Sequence, residues 1–360
     1  MTKRNTMLPP VTRSRYERPT MRDVAEQAGV SLQTVSNYVN GRFHLMSPDT
    51  RERVGGELDR LGYWPNAAAR SLRAKRSMTL GFLVLDEGAR FLADPMTDLI
   101  IAGIGDVARD HGYSLLIQAA RPNPNHLDGL FAPLLEDRVD GAFLFLSGSP
   151  SIRRKTIRRM VTLGFVFVVF EQAPAGVPVV SVTADNRRGA RELAEHLLAR
   201  GHRRIGFIST RAPWPMVEER IHGYHDALHA AGIDADPALQ LSDGVWASAD
   251  GSAMAERLLA LPEPPTAIMC GNDLLALGAI SAARGRGLRV PEDVAVTGFN
   301  DFEFAQFADP PLTTVAVPGY DLGRLGAESL IGQLGGAEPG VPASGRRLSL
   351  PVALQLRGSA

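Results

Sequence analysis

Residues 20–41 read TMRDVAEQAGVSLQTVSNYVNG. The spacing of caps, apolar residues and glycines in this stretch specifies two short helices joined by a tight turn. Thr20 has the character of a helix N-cap, with Asp23 three residues on in the reciprocal capping-box position. Val24, Ala25 and Ala28 form a short apolar face, and Gly29 stops the helix because glycine accepts the left-handed terminal conformation without strain. Ser31 is a second N-cap, Val35 and Val39 stand four apart on one face, and Asn40-Gly41 is a turn signal. Ser47-Pro48 opens a third helix as N-cap and first helical residue; Val54, Leu58 and Leu61 are its apolar stripe and Gly62 its stop. Residues 20–64 therefore read as an all-α helix-turn-helix head.

With Val35 and Val39 turned inward, Leu32, Gln33, Ser36 and Asn37 share the outer face of the second helix. Glutamine and asparagine can bond adenine bidentately in the major groove, and leucine can pack on a thymine methyl. Thr34 and the helix N-terminus suit a phosphate. A solvated polar face on a small helical domain would carry the same residues, so charge has to decide. The whole chain, 360 residues with 39 Lys+Arg against 39 Asp+Glu, has zero net charge. Taken alone, that argues against a polyanion partner. The distribution reverses the inference: residues 1–77 hold 14 basic and 7 acidic side chains, and the remainder holds 25 and 32. A basic head on an acidic body is the asymmetry of a nucleic-acid-binding module joined to something else, and DNA is the expected partner.

On the N-terminal side, residues 1–19 are rich in Pro and Arg without periodicity and are expected to be a disordered basic tail. On the other side, Asn66–Arg73 is a helix-like run, too short to hold alone in water, within a hinge and linker spanning 65–77. The texture then changes. Apolar runs recur at Leu80–Leu85, Ser114–Gln118, Gly141–Leu146, Phe165–Phe170, Val179–Val182, Ile205–Ser209, Ala267–Cys270 and Val294–Gly298. Segments with helical periodicity, such as Met96–His111 and Arg187–Arg200, lie between most of them. This is the βαβ signature of parallel sheets covered by helices, and the series is too long for one small sheet. The expectation for 78–358 is a two-lobed α/β body with doubly wound parallel sheets. Its lobes would span about 78–183 and 184–312, with crossovers in 313–358.

Other classes fit poorly. One cysteine, Cys270, excludes a disulfide framework or a Cys-rich zinc site and fits a small buried hydrophobe. No run of 18 apolar residues exists, and the N-terminus lacks the apolar segment of a secretory signal, so a cytoplasmic protein without a membrane partner is expected. There is no Walker-type phosphate loop and no Gly-x-Ser-x-Gly elbow. Gly103-Ile-Gly105 lacks the third glycine of a dinucleotide fingerprint and lies in a helical pattern. His222, His225 and His229 could suggest zinc, but no carboxylate or cysteine completes the set, and one face of an amphipathic helix explains them better. No enzyme activity, cofactor or metal is expected.

The stretch 20–36 resembles the opening of the lac repressor (LacI/GalR) family. The similarity continues through Asn40, Ser47, Thr50-Arg51, 61–63 (LGY) and 65–72 (PNAAARSL). In the body it covers Asp185-Asn186, 201–207 (GHRRIGF), Arg220, Gly223-Tyr224, Asn272-Asp273, Gly298-Phe299 and 311–315 (PLTTV), so that nearly all of 20–358 takes part. The resemblance implies a homodimeric transcriptional repressor that binds a pseudopalindromic double-stranded DNA operator and is controlled by a small effector, a carbohydrate, bound between the lobes. It implies operator contacts from Thr20, Ser31, Leu32, Gln33, Thr34, Ser36 and Asn37. From the hinge it adds Asn66, Ala69, Arg70 and Leu72, with Leu72 as an apolar wedge between base pairs in the minor groove. A linker leucine packed on the body is the alternative for Leu72. For the effector it points to Arg220, Trp246, Asn272 and Asn300, and to Glu171 from the first lobe. Amides, a guanidinium and a carboxylate bond hydroxyls, and tryptophan offers a flat face to ring C–H groups. A core or surface aromatic is the alternative for Trp246, and Glu171 could equally be a solvated loop acid. Two departures matter for the operator: Asn37 stands where some members carry Arg or His, and the Gly41–Met46 loop is about a residue longer than in the lac repressor itself; in the body, Asn300 replaces a common acid. The rival reading of the body is a two-lobed solute-binding protein without regulatory DNA binding.

Overall fold

The structure, a computed structural model, describes residues 19–64, 76–86, 91–121, 128–172, 176–211, 214–335 and 345–360. The expected basic tail, apart from its last residue, and the hinge residues Asn66, Ala69, Arg70 and Leu72 lie outside the described residues. The chain divides into two compact units, 1–75 and 76–360.

The first unit holds α1 (Met21–Ala28), α2 (Leu32–Val39) and α3 (Pro48–Leu61). Its helices begin and end where the cap chemistry dictates. Thr20 and Asp23 form the reciprocal capping box, and Gly29 closes α1 at φ 62°. Ser31 and Ser47 accept from the backbone N–H of Thr34 and Thr50. Val24, Ala25, Ala28, Val35 and Val54 are buried together, with Val39, Leu58 and Leu61 packed at the margin. Tyr38 meets Phe43 edge-on at 5.4 Å, and the Arg51 guanidinium lies 4.0 Å above the Phe43 ring. These contacts tie the loop after α2 to α3.

The second unit contains two parallel sheets. The first is ordered β11-β5-β4-β3-β1-β2, from β1 (Thr79–Leu85), β2 (Ser114–Ala120), β3 (Gly141–Leu146), β4 (Phe167–Phe170), β5 (Val180–Ala184) and β11 (Arg347–Leu350). The second is ordered β7-β6-β8-β9, from β6 (Ile205–Thr210), β7 (Gln240–Gly244), β8 (Ala267–Cys270) and β9 (Ala295–Thr297). β10 (Thr314–Ala316) and β12 (Ala353–Gln355) form a small antiparallel pair. The helices α4 (Pro95–Asp110), α5 (Asp128–Leu135), α6 (Pro150–Thr162), α7 (Asn186–Ala199), α8 (Pro215–Ala230), α9 (Ser248–Leu259), α10 (Asp273–Gly285) and α11 (Gly319–Gly335) alternate with the strands. All eight apolar runs are strands.

Two features add to the sequence reading. Residues 313–358 are more than crossovers: α11 packs along α4, and β11 pairs with β5, so the chain returns to complete the first lobe. β7 has no counterpart among the apolar runs because it is the polar edge strand QLSDG, and an edge needs only one strand neighbour and little apolar surface.

Helix pairs cross at glycines where no side chain fits. A Cβ on Gly103 would stand 2.1 Å from the Tyr320 carbonyl oxygen, so this glycine serves the α4–α11 crossing and not a phosphate loop. On α8, a Cβ on Gly223 would stand 2.1 Å from the Arg187 carbonyl oxygen of α7. That crossing fixes the distance between α8 and the start of α7, which is the distance the functional site depends on. Gly223→Ala should therefore force the helices apart and cost about 1–3 kcal/mol, the usual penalty of overpacking. Urea denaturation would read it as a lower midpoint; an unchanged midpoint would contradict the close-packed crossing.

Candidate functional site

In each sheet the strand order reverses beside the first strand, between β1 and β3 and between β6 and β8. Open α/β sheets bind ligands beyond the carboxyl ends of the strands at such points. The chain leaving those ends carries Asp86, Ser147 and Glu171 in the first lobe, and Ser209, Thr210, Asn272 and Asn300 in the second. All seven are buried.

Arg220, on α8, is the centre of this region and only 4% exposed. Its Nε donates to Asn186 Oδ1 at 2.9 Å, Nη1 to the Gly271 carbonyl at 2.6 Å and Nη2 to Asn300 Oδ1 at 2.9 Å. The guanidinium carbon lies 3.8 Å over the Phe299 ring, a cation–π contact strengthened by desolvation. Burial pulls the Arg220 pKa down to about 10, with Glu171, Asp94 and Asp273 holding it up, so the group is cationic at neutral pH. An arginine has five N–H donors, and these bonds leave two for a ligand.

Glu171 faces it from the first lobe. Its backbone is left-handed, φ 60°, a conformation that turns the side chain of a non-glycine residue at some cost in strain. Asn186 Nδ2 donates to Glu171 Oε2 at 2.9 Å, while Asn186 Oδ1 accepts from Arg220. One amide thus links a first-lobe carboxylate to a second-lobe cation. Burial pushes the Glu171 carboxyl up to about 7, against the opposing pull of Arg220 and of hydrogen bonds from Ala184 and Asn186. Asp94, the N-cap of α4, is also raised by burial, with its bond from Met96 and the charge of Arg220 opposing. Arg153 of α6 bonds Glu218 of α8 at 2.7 Å, and the Phe145 and Trp214 rings stand 5.4 Å apart, so both pairs join the lobes.

The expected effector residues separate into groups. Glu171, Arg220 and Asn300 share one network, and Asn300 sits at φ 108°, held there by bonds to Val315 and Val317. Asn272 spends Oδ1 on capping α10 through Leu275 N–H at 2.9 Å, and its buried Nδ2 has no partner among the described residues. Trp246 is half-buried against two hydrophobic clusters of the body and makes no bond to the Arg220 network. Sequence reasoning misses Asn186, Asp94 and Trp214 as site residues; only the Asp185-Asn186 motif carries a signal. Carboxylates that accept, amides and a guanidinium that donate, and flanking aromatic rings suit a neutral polyhydroxylated molecule, whose hydroxyls both donate and accept.

Other candidates resolve simply. Cys270 is buried and its thiol is pushed well above its usual value, so it is no nucleophile. His225 Nε2 pairs with Gln240 Oε1 at 2.8 Å, and the described residues contain no cluster of three metal-ligating groups.

In the head unit, Leu32 is 48% exposed on the outer face of α2. Gln33 Nε2 donates to Asn37 Oδ1 at 3.0 Å, a bond that uses neither the Gln33 carbonyl nor the Asn37 amino group. Ser36, expected on the same outward face, is half-buried, and Asn40 Nδ2 bonds both its carbonyl, at 2.6 Å, and its hydroxyl, at 3.3 Å. Thr20, Ser31 and Thr34 spend their hydroxyls within caps.

Residues 20–66 match the lacI family of bacterial regulatory proteins, and residues 194–360 match the periplasmic binding protein-like domain. The HTH-type transcriptional repressor CytR of Escherichia coli (strain K12) is 36% identical over 346 residues, covering 94% of this chain and 96% of that protein. The HTH-type transcriptional regulator CelR of Thermobifida fusca is 36% identical over 328 residues, covering 89% and 94%. Among solved structures, the lac repressor bound to ONPG in its repressed state superposes with a TM-score of 0.82 at 28% identity, covering 96% of this chain and 100% of that one. The CelR–cellobiose complex does so with 0.69 at 32%, covering 95% and 100%. These matches favour a DNA-binding regulator over a solute-binding protein.

The buried carboxylate has a measurable consequence. Because Glu171 is raised from 4.5 to about 7, the folded chain holds a proton there that the unfolded chain has lost over that range. Its contribution is complete below pH 4 and disappears as pH rises through 7. Glu171→Gln should therefore gain stability relative to the parent between pH 5 and 8, by on the order of 1–3 kcal/mol. Urea melts of both proteins across that range check it; a pH-independent difference would contradict a raised Glu171.

Proposed function

The chain belongs to the lacI family of bacterial regulatory proteins, and we propose that it converts the presence of a carbohydrate in the body into a change in its hold on an operator. It is a DNA-binding transcription regulator. In this reading it acts as a cytoplasmic homodimeric repressor, without catalytic activity, on a pseudopalindromic site, since a twofold protein matches a twofold sequence. The head reads bases through Leu32, Gln33 and Asn37, with Thr20, Ser31, Thr34 and Ser36 along the backbone. Asn66, Ala69, Arg70 and Leu72 contact the minor groove, where Leu72 acts as a wedge.

The ligand is bound by Arg220, Glu171, Asn300 and Asn272, with Trp246 against its apolar face. The single observation that carries this is the Glu171–Asn186–Arg220–Asn300 network, which supports a switch because it bridges the lobes. A ligand that completes the network favours one arrangement of the lobes, and linkage makes operator and ligand affinities reciprocal. Cellobiose in the CelR complex supports a sugar as the ligand class.

The test is selection of bound DNA from random sequence, repeated with a panel of mono- and disaccharides. A pseudopalindrome should be enriched, and at least one sugar should change its recovery; no enriched sequence would overturn the reading. On the selected site, Gln33→Ala should cost about 1–3 kcal/mol of discrimination, at the base pair it contacts only. A uniform loss across sequences would make Gln33 a backbone contact. Trp246→Ala should abolish the sugar response while leaving operator binding intact, and Arg220→Met should weaken carbohydrate affinity. A retained response in Trp246→Ala alone would remove that residue from the site.

A further inference from the structure

We propose that the outer face of α6 is a docking surface for an acidic segment of a protein partner. The helix reads PSIRRKTIRRMVT and contains Arg153, Arg154, Lys155, Arg158 and Arg159 with no acid. Its inner face is committed: Thr156, Ile157 and Met160 are buried, and Arg153 is bonded to Glu218. The other four cations are exposed. Ser151, Arg154, Lys155 and Arg158 line a depression of about 420 Å³.

The arrangement is unusual for this chain. Elsewhere in the body, many helical arginines meet acids, one turn away as in Arg188–Glu192, Arg191–Glu195 and Arg324–Glu328, or on another element as in Arg187–Asp226 and Arg257–Asp243. Among the described residues, no ion pair involves Arg154, Arg158 or Arg159. Arg154–Arg158 is a like-charge pair at i, i+4, which weakens a helix. An external anion removes that repulsion.

The rest of the molecule selects the kind of anion. Residues 78–360 carry 32 acids against 25 bases. An extended polyanion such as DNA lying along the body would be repelled beyond α6, whereas a short acidic segment meets only the helix. The outer face of the helix from Ser151 to Thr162 is about 16 Å long at 1.5 Å per residue, the span of about five extended residues. Arginine forks bind carboxylates bidentately.

The test uses the full chain and a fluorescein-labelled hexaglutamate peptide, read by anisotropy at low salt. The reference is a variant of equal charge change elsewhere on the body, Arg109→Glu with Arg257→Glu. Arg154→Glu with Arg158→Glu should weaken peptide binding at least tenfold, while the reference pair changes it less than twofold. Equal weakening by both pairs, or none by the α6 pair, overturns the proposal. So does an α6 pair that loses non-operator duplex binding and keeps the peptide, since the face would then serve nucleic acid. Operator binding by the same variants reports separately on the head, and far-ultraviolet circular dichroism on their folding.

Discussion

A guanidinium buried to 4% exposure is the constraint around which the body is organised. Removing such a charge from water costs several kcal/mol unless opposite charge and hydrogen bonds surround it. The groups that supply them come from far apart in the sequence. Asn186 begins α7, Gly271 follows β8, and Phe299 and Asn300 follow β9. Glu171 arrives from the other lobe. The hydrogen-bond acceptors of Arg220 and the Phe299 ring lie in the second lobe, and the first lobe enters through Glu171, by charge and through the Asn186 amide. This makes the same residue a structural keystone and a natural place for a ligand to act.

The electrical division of the chain serves the same logic. Zero net charge is the near-cancellation of a basic head and an acidic body with separate tasks. Phosphate attraction and its salt dependence belong to the head. Several exposed charges of the body stand in ion pairs, as in Arg188–Glu192 and Arg324–Glu328, and such surface pairs contribute little each. The buried Arg220 system is of another kind.

Sequence is informative where one segment carries its own information. Capping serines, threonines and glycines bound α1 to α3 locally, and buried parallel strands read as apolar runs because both their faces are covered. It is weak where a segment depends on distant partners. The polar edge strand β7 has no pattern of its own, and the return of α11 and β11 to the first lobe is a tertiary event. The same split runs through the site. Family resemblance points to Arg220, Asn272 and Asn300, and no spacing rule joins Glu171 to a cation 49 positions away. Asn186 is visible only as part of a motif, and Asp94 not at all, since the cation that acts on it, Arg220, is 126 positions away.

The most direct measurement of the central claim is a double-mutant cycle on carbohydrate affinity across the two lobes, using Glu171→Gln, Arg220→Met and the pair in the full chain. The Asn186 relay predicts a coupling of about 0.5–3 kcal/mol between the two sites. Additive effects would contradict it, because two lobes that bind the ligand independently have no common centre at Arg220.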